Sequence, residues 1–181
     1  MKSYQEIDTP INGVKILLNK VASDNRGHFL DLAETDNPLF KDVKHLHASI
    51  ATTKHIARGE HYHYKLTENF YVLNGTSLFI MHDFNEDSPT YGKTYALILG
   101  DGKEKPNTNL ETYYIGEGQL AQISISPKIY HAFWPLTDDD AVIFVTGNTG
   151  YDAQDYGKPK IEEIPGAVEI LKQHGITYIN S

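Results

Sequence analysis

The chain has 181 residues, enough for one domain with a buried core. Its formal net charge of -8 argues against a general nucleic-acid binder, although a local cluster of arginines could still meet an anionic small substrate. No cysteine is present, so there is no disulfide framework and no thiolate chemistry. No run of about 18 apolar residues could span a membrane. Met1–Glu6 lacks the apolar core of a leader, which makes the cytoplasm the expected location.

The dominant period along the chain is two, the period of strands. Strands are expected at Val14–Leu18, Phe29–Leu32 and His45–Ala51. In the last of these, His45, His47 and Ser49 share one face and Leu46, Ala48 and Ile50 the other. Asn69–Leu73 and Thr76–His82 flank Asn74-Gly75, the signal of a tight hairpin. Tyr95–Leu99, Glu111–Ile115, Leu120–Ile125, His131–Trp134 and Ala141–Thr146 continue the series, with a polar loop over Gly100–Asn109. Only the end reads as helical, with Pro165 at its start, Val168 and Leu171 on one face and Gly175 as its stop. The expectation is a single all-β domain over 1–181, with its core at about 11–156 and a C-terminal extension over 157–181 carrying a short helix.

The segment Arg58-Gly59-Glu60-His61-Tyr62-His63-Tyr64-Lys65-Leu66-Thr67-Glu68, closed by Gly75, has the pattern H-x-H-x4-E-x6-G. Two histidines one residue apart on a strand face the same way, and a carboxylate five residues later can join them after a bend. With His131 as fourth ligand the set is His61, His63, Glu68 and His131, which suits Zn, Fe, Mn or Ni. Asp138-Asp139-Asp140 diverge on a turn and are read as solvated.

This segment resembles the first motif of the cupin superfamily, and Pro127–His131 is loosely similar to the second. Asp24-Asn25-Arg26-Gly27-His28-Phe29-Leu30-Asp31 is similar to the D-x-R-G-x-F-x-E signature of dTDP-4-dehydrorhamnose 3,5-epimerases. Arg58-Gly59-Glu60-His61-Tyr62 resembles their R-G-x-H-Y, Ser88-Pro89-Thr90-Tyr91-Gly92 their S-P-T-[FY]-G, and His131-Ala132-Phe133 their H-G-F. The resemblance spans residues 11 to about 156 in the family's order.

It implies a cupin jelly roll, a homodimer, and epimerisation at C3 and possibly C5 of a nucleotide-activated 4-keto-6-deoxysugar. Arg26, Phe29 and Asp31 would help hold the nucleotide, in part across subunits, and Arg58 the diphosphate. His61 would be the general base, and His47 would line the substrate pocket. Three positions depart from the family. Counting on from His131, the catalytic Tyr falls at Phe144; the conserved Lys is replaced by Glu68; and the Asp that orients the base has no counterpart. Tyr151 is the candidate replacement acid. Glu68 and His63 together turn the epimerase motif into a metal-binding one, and His61 is then either base or ligand, since one lone pair cannot serve both. A metal-dependent cupin of another class, such as a dioxygenase, and a binding module without activity are the alternatives.

Overall fold

The computed structural model describes residues 4–32, 37, 38, 40 and 42–178. Thirteen strands are found among them: β1 (Tyr4–Ile7), β2 (Val14–Asp24), β3 (Gly27–Leu30), β4 (His45–Ala51), β5 (Arg58–His63), β6 (Glu68–Asn74), β7 (Thr76–Asp83), β8 (Thr94–Gly100), β9 (Glu111–Tyr114), β10 (Gln119–Ile125), β11 (Ile129–Pro135), β12 (Ala141–Gly147) and β13 (Tyr156–Gly157). One sheet runs β1-β2-β10-β6-β12-β4 with β3 added on β2, and the other runs β13-β5-β11-β7-β8-β9. The two faces pack as a jelly roll around Ile16, Phe70, Ile123 and Val145 from one sheet and Phe79, Leu97 and Phe133 from the other. Period-two alternation puts these side chains inside and their neighbours outside.

The outer face of the six-stranded sheet is covered as well. The helix α1 (Ala167–Gln173) lays Ala167 and Leu171 against Leu78, Ile80, Ile98 and Trp134. This explains why all eight residues of β7 are buried, where a one-sided strand would alternate. The helix follows Gly166, which holds a left-handed conformation at the N-cap, so Pro165 lies two residues before the helix and not at its first position. No helix among the described residues is long and apolar enough to cross a membrane.

The Asn74-Gly75 hairpin expectation is corrected. β6 pairs with β10 and β12, β7 with β11 and β8, so the two strands belong to different sheets. Gly75 (φ +71°) is a corner at which the chain changes sheet. A side chain there would press on Thr137 Oγ1 at 3.1 Å and Ala141 Cα at 3.2 Å, so the position needs glycine for space as well as for conformation. The Ser88-Pro89-Thr90 motif is structural. Buried Asp83 accepts hydrogen bonds from Ser88 Oγ (2.5 Å), Thr90 Oγ1 (2.7 Å) and the Asn85 amide (2.9 Å), which closes the β7–β8 connection.

Candidate active site

At one end of the jelly roll the two sheets part around a cavity of about 380 Å³, within the ~300–1,000 Å³ usual for small-molecule sites. Its walls include His45, His47 and Ser49 of β4, Arg58, His61 and His63 of β5, Glu68 and Phe70 of β6, His131 of β11 and Val145 of β12.

A bulge aims the first histidine. Against β11, His131 pairs with His61 and Ala132 with Gly59, which leaves Glu60 as the extra residue. Gly59 (φ +90°) and Glu60 (φ +59°) both take left-handed conformations. A Cβ at Gly59 would stand 2.8 Å from the His131 carbonyl oxygen, so its absence lets β11 come close. This is the physical content of the R-G-x-H motif: glycine admits the neighbouring strand, and the bulge turns His61 towards His131, their ring centroids 4.8 Å apart.

Glu68 arrives from the other sheet. The Tyr64–Thr67 bend is held by buried Asp155, whose carboxylate accepts from the Tyr64 amide (3.0 Å) and the Leu66 amide (3.1 Å), and by Asn148, which accepts from the Thr67 amide (2.9 Å). Sequence reasoning missed Asp155, since nothing within Asp152–Tyr156 marks one aspartate as a buried clamp.

The four predicted ligands come together. Each imidazole donates its Nδ1–H to a backbone carbonyl: His61 to Gly59 (2.9 Å), His63 to Asp155 (3.1 Å) and His131 to Ile129 (3.2 Å). Each Nε2 therefore presents a lone pair. His61 and His63 Nε2 are 3.1 Å apart, and Glu68 Oε2 lies 3.2 Å from His63 Nε2 and 3.1 Å from His131 Nε2. All four donor atoms lie within 4.8 Å of one another. Bonds of about 2.1 Å to a shared ion would set neighbouring donors about 3.0–3.4 Å apart, so the residues fit a divalent metal.

Burial, then the charges of His131 and His63, push the His61 imidazole down to about 3, which leaves it a poor proton acceptor. Burial alone would raise the Glu68 carboxyl, but the His131 and His63 rings against it, when they carry an Nε2 proton, hold it well below the usual carboxylate range. Burial foremost, then the charge of His45, also lowers His47 against an opposing pull from Glu68, so its imidazole is neutral at pH 7.

The remaining expected site residues are spread between the cavity, its rim and the β2–β3 hairpin. Phe144 does not face the cavity; it packs outward on Tyr71, with ring centroids 6.2 Å apart, and the residue of β12 that lines the cavity is Val145. Strand alternation moved the site position by one residue. Neither side chain can donate a proton. Tyr151 is at the rim and 74% exposed, while Tyr156, which sequence reasoning passed over, packs its ring on His61 (4.9 Å) and His63 (4.6 Å). Arg26 and Phe29 line a separate depression at the β2–β3 hairpin, with Arg26 paired to Asp24, and Asp31 follows that hairpin outside the cavity wall. Arg58 does reach the cavity, where its Nε donates to Ser49 Oγ (3.1 Å).

The dTDP-4-dehydrorhamnose 3,5-epimerase family matches residues 8–164. The chain belongs to this family. It is a sugar-nucleotide epimerase or isomerase in fold and in sequence. The spore coat polysaccharide biosynthesis protein SpsL of Bacillus subtilis is 24% identical over 155 residues, covering 86% of this chain and 89% of that protein. Two solved structures show the same fold. The dTDP sugar isomerase of Desulfovibrio desulfuricans aligns with a TM-score of 0.70 at 18% identity, covering 88% of this chain and 92% of that one. A dTDP-6-deoxy-D-glucose-3,5-epimerase of Legionella pneumophila, solved with dTDP-4-keto-L-rhamnose, aligns at 0.67 with 22% identity, covering 86% and 77%.

Proposed function

We propose that this family member inverts carbon next to the keto group of a nucleotide-linked 4-keto-6-deoxyhexose, and that His61, His63, Glu68 and His131 hold a divalent metal while it does so. One observation carries the metal reading. Three imidazole lone pairs and a carboxylate converge, and all three Nδ1 protons are already spent on carbonyls. Four acceptors facing one another need a cation between them, either a metal or extra protons that would make imidazoliums. A divalent ion would stabilise the negative charge that develops on the carbonyl oxygen when the adjacent C–H bond breaks. It would take the place of the Lys that the family resemblance expects where Glu68 stands.

The chain's own residues support the substrate reading. Arg58 is positioned by Ser49 at the cavity wall, where its guanidinium can grip a diphosphate. The Arg26–Phe29 hairpin lies outside its own cavity, with Phe29 70% exposed, and Leu46 and Ile50 leave an apolar strip on edge strand β4. These features support a homodimer in which the hairpin serves a neighbouring cavity. The relation to SpsL supports a place in polysaccharide biosynthesis, and a chain without cysteine is compatible with the cytoplasm.

The test is metal content of untagged protein by inductively coupled plasma mass spectrometry, beside a His63→Ala/Glu68→Ala variant. About one divalent ion per chain in the wild type, lost in the variant, is the expected result. A metal-free wild type that cannot be reconstituted would remove the metal from the reading. A substrate assay would then decide whether the epimerase activity stands without it.

A further inference from the structure

Inversion at a carbon needs a proton taken from one face and a proton delivered to the other. If the four clustered side chains are occupied as ligands, the two proton carriers must be other groups in the same cavity. Most candidates are already committed. Asp155 is buried and spends its carboxylate on the Tyr64 and Leu66 amides. Glu60 accepts from the Tyr178 hydroxyl, Asp152 lies 3.8 Å from the Lys65 ammonium, and Tyr151 stands at the rim.

Three carriers remain, Tyr156 on one wall and His45 and His47 on another, and of the two histidines His47 is the one in register with cavity-lining Val145, while His45 pairs with Gly147 at the end of β12. His47 stands on β4 of the seven-stranded sheet, and Tyr156 on β13 of the six-stranded sheet. Tyr156 is fixed in place from three sides. Its backbone pairs with His63, its ring packs on both His61 and His63, and Lys158 Nζ lies 5.7 Å from its ring centroid. The next residue must be glycine, because a Cβ at Gly157 would collide with the Tyr62 ring. A two-residue strand with this much built around it serves to place the tyrosine.

Resting on the epimerase and metal readings above, we infer that His47 is the base and Tyr156 the acid of the inversion, a pair drawn from the two sheets in place of His61 and the tyrosine that the family resemblance expects. His47 takes the proton from the carbon next to the carbonyl, and the C–H electron pair becomes the enolate. The enolate returns that pair to the carbon as the Tyr156 O–H bond breaks, and its proton joins the opposite face. His47 then releases a proton to solvent and Tyr156 regains one, so the sequence is redox-neutral and needs no co-reactant.

The experiment follows dTDP-4-keto-6-deoxyglucose in deuterated water by proton NMR, which reads deuterium wash-in and inversion separately. Wild type, Tyr156→Phe and His47→Asn are compared, each checked for metal content and for affinity towards unreactive dTDP-glucose. Tyr156→Phe should keep wash-in within about threefold and lose inversion by at least about 100-fold, the low end for removal of a general acid. His47→Asn should lose both by a similar factor. Inversion by Tyr156→Phe at the wild-type rate overturns the acid, as does parallel loss of wash-in and inversion with affinity and metal intact. Wash-in by His47→Asn at the wild-type rate overturns the base, and so does a variant impaired only in dTDP-glucose affinity. A wild type that binds dTDP-glucose but neither exchanges nor inverts sinks the epimerase reading itself and this pair with it.

Discussion

His63 Nε2 and Glu68 Oε2 meet at 3.2 Å although they belong to different sheets. Four residues of chain separate them, and the bend between is clamped at the Tyr64, Leu66 and Thr67 amides by Asp155 and Asn148. The site is therefore a joint between the two halves of the jelly roll, and its chemistry is tied to the stability of that joint.

Removing the clamp should loosen the joint. Asp155→Ala leaves the buried Leu66 amide without its acceptor, at about 1–3 kcal/mol, and the Tyr64 amide with only the Asp155 backbone carbonyl at 3.3 Å. The expected outcome is a lower urea midpoint together with weaker metal retention, because His63 also loses the segment that orients it. Full metal retention in a destabilised variant would separate the clamp from the site.

Gly59→Ala should cost about 2 kcal/mol or more, combining a left-handed backbone with a 2.8 Å approach to the His131 carbonyl. The relief of that clash pushes β5 from β11 and carries His61 away from His131. Chemical denaturation reads the first effect and metal content the second. Gly27→Ala is the control, since its φ of +131° is also unusual but nothing lies within 4 Å of the added Cβ.

The metal-free protein should lose stability as pH falls. His61 titrates at about 3 when folded and near 6.5 when unfolded, so the unfolded chain binds more protons between those values. Stability contributed by the neutral imidazole is complete above about pH 6.5 and declines towards pH 3. Glu68 acts in the same direction, because its carboxyl is held low in the fold and its contribution, present above about 4.5, is lost on acidification. Urea midpoints measured from pH 8 to 4 check the slope; a flat profile would mean that the folded cluster takes up as many protons as the unfolded chain.

Arg58→Lys should weaken dTDP-glucose binding by about tenfold while leaving the fold unchanged. A lysine keeps the charge but loses the fork that can bond Ser49 and a diphosphate together. Isothermal titration at two salt concentrations checks this, and equal affinities for the two proteins would take Arg58 out of the diphosphate site.

Asp83→Ala tests the other reading of a motif. It strips the acceptor from Ser88, Thr90 and the Asn85 amide, and a loss of about 2 kcal/mol in unfolding free energy is expected with nucleotide-sugar affinity intact. Loss of binding with normal stability would give the Ser88-Pro89-Thr90 segment a part in the active site.

Much of this protein could be read from residue types and spacing. Alternation located most of the strands, because each strand buries one face and wets the other. The spacing of His61, His63 and Glu68, with His131, named the members of the central cluster, since ligand sets leave a pattern of residue types. What alternation could not say is which sheet a strand joins. Asn74-Gly75 carries the local chemistry of a hairpin, yet its flanking strands pair elsewhere, because the partners of β6 and β7 lie dozens of residues away. Register had the same limit: one residue of slip separates Phe144 from Val145 and moves a side chain from solvent side to cavity. Asp155 and Tyr156 meet the cluster only through long-range pairing, so short motifs carry no sign of them. Local sequence decided the chemistry available, because donor atoms are properties of single residues. Tertiary packing decided which donors share a cavity, because those distances are set by strands far apart in the chain.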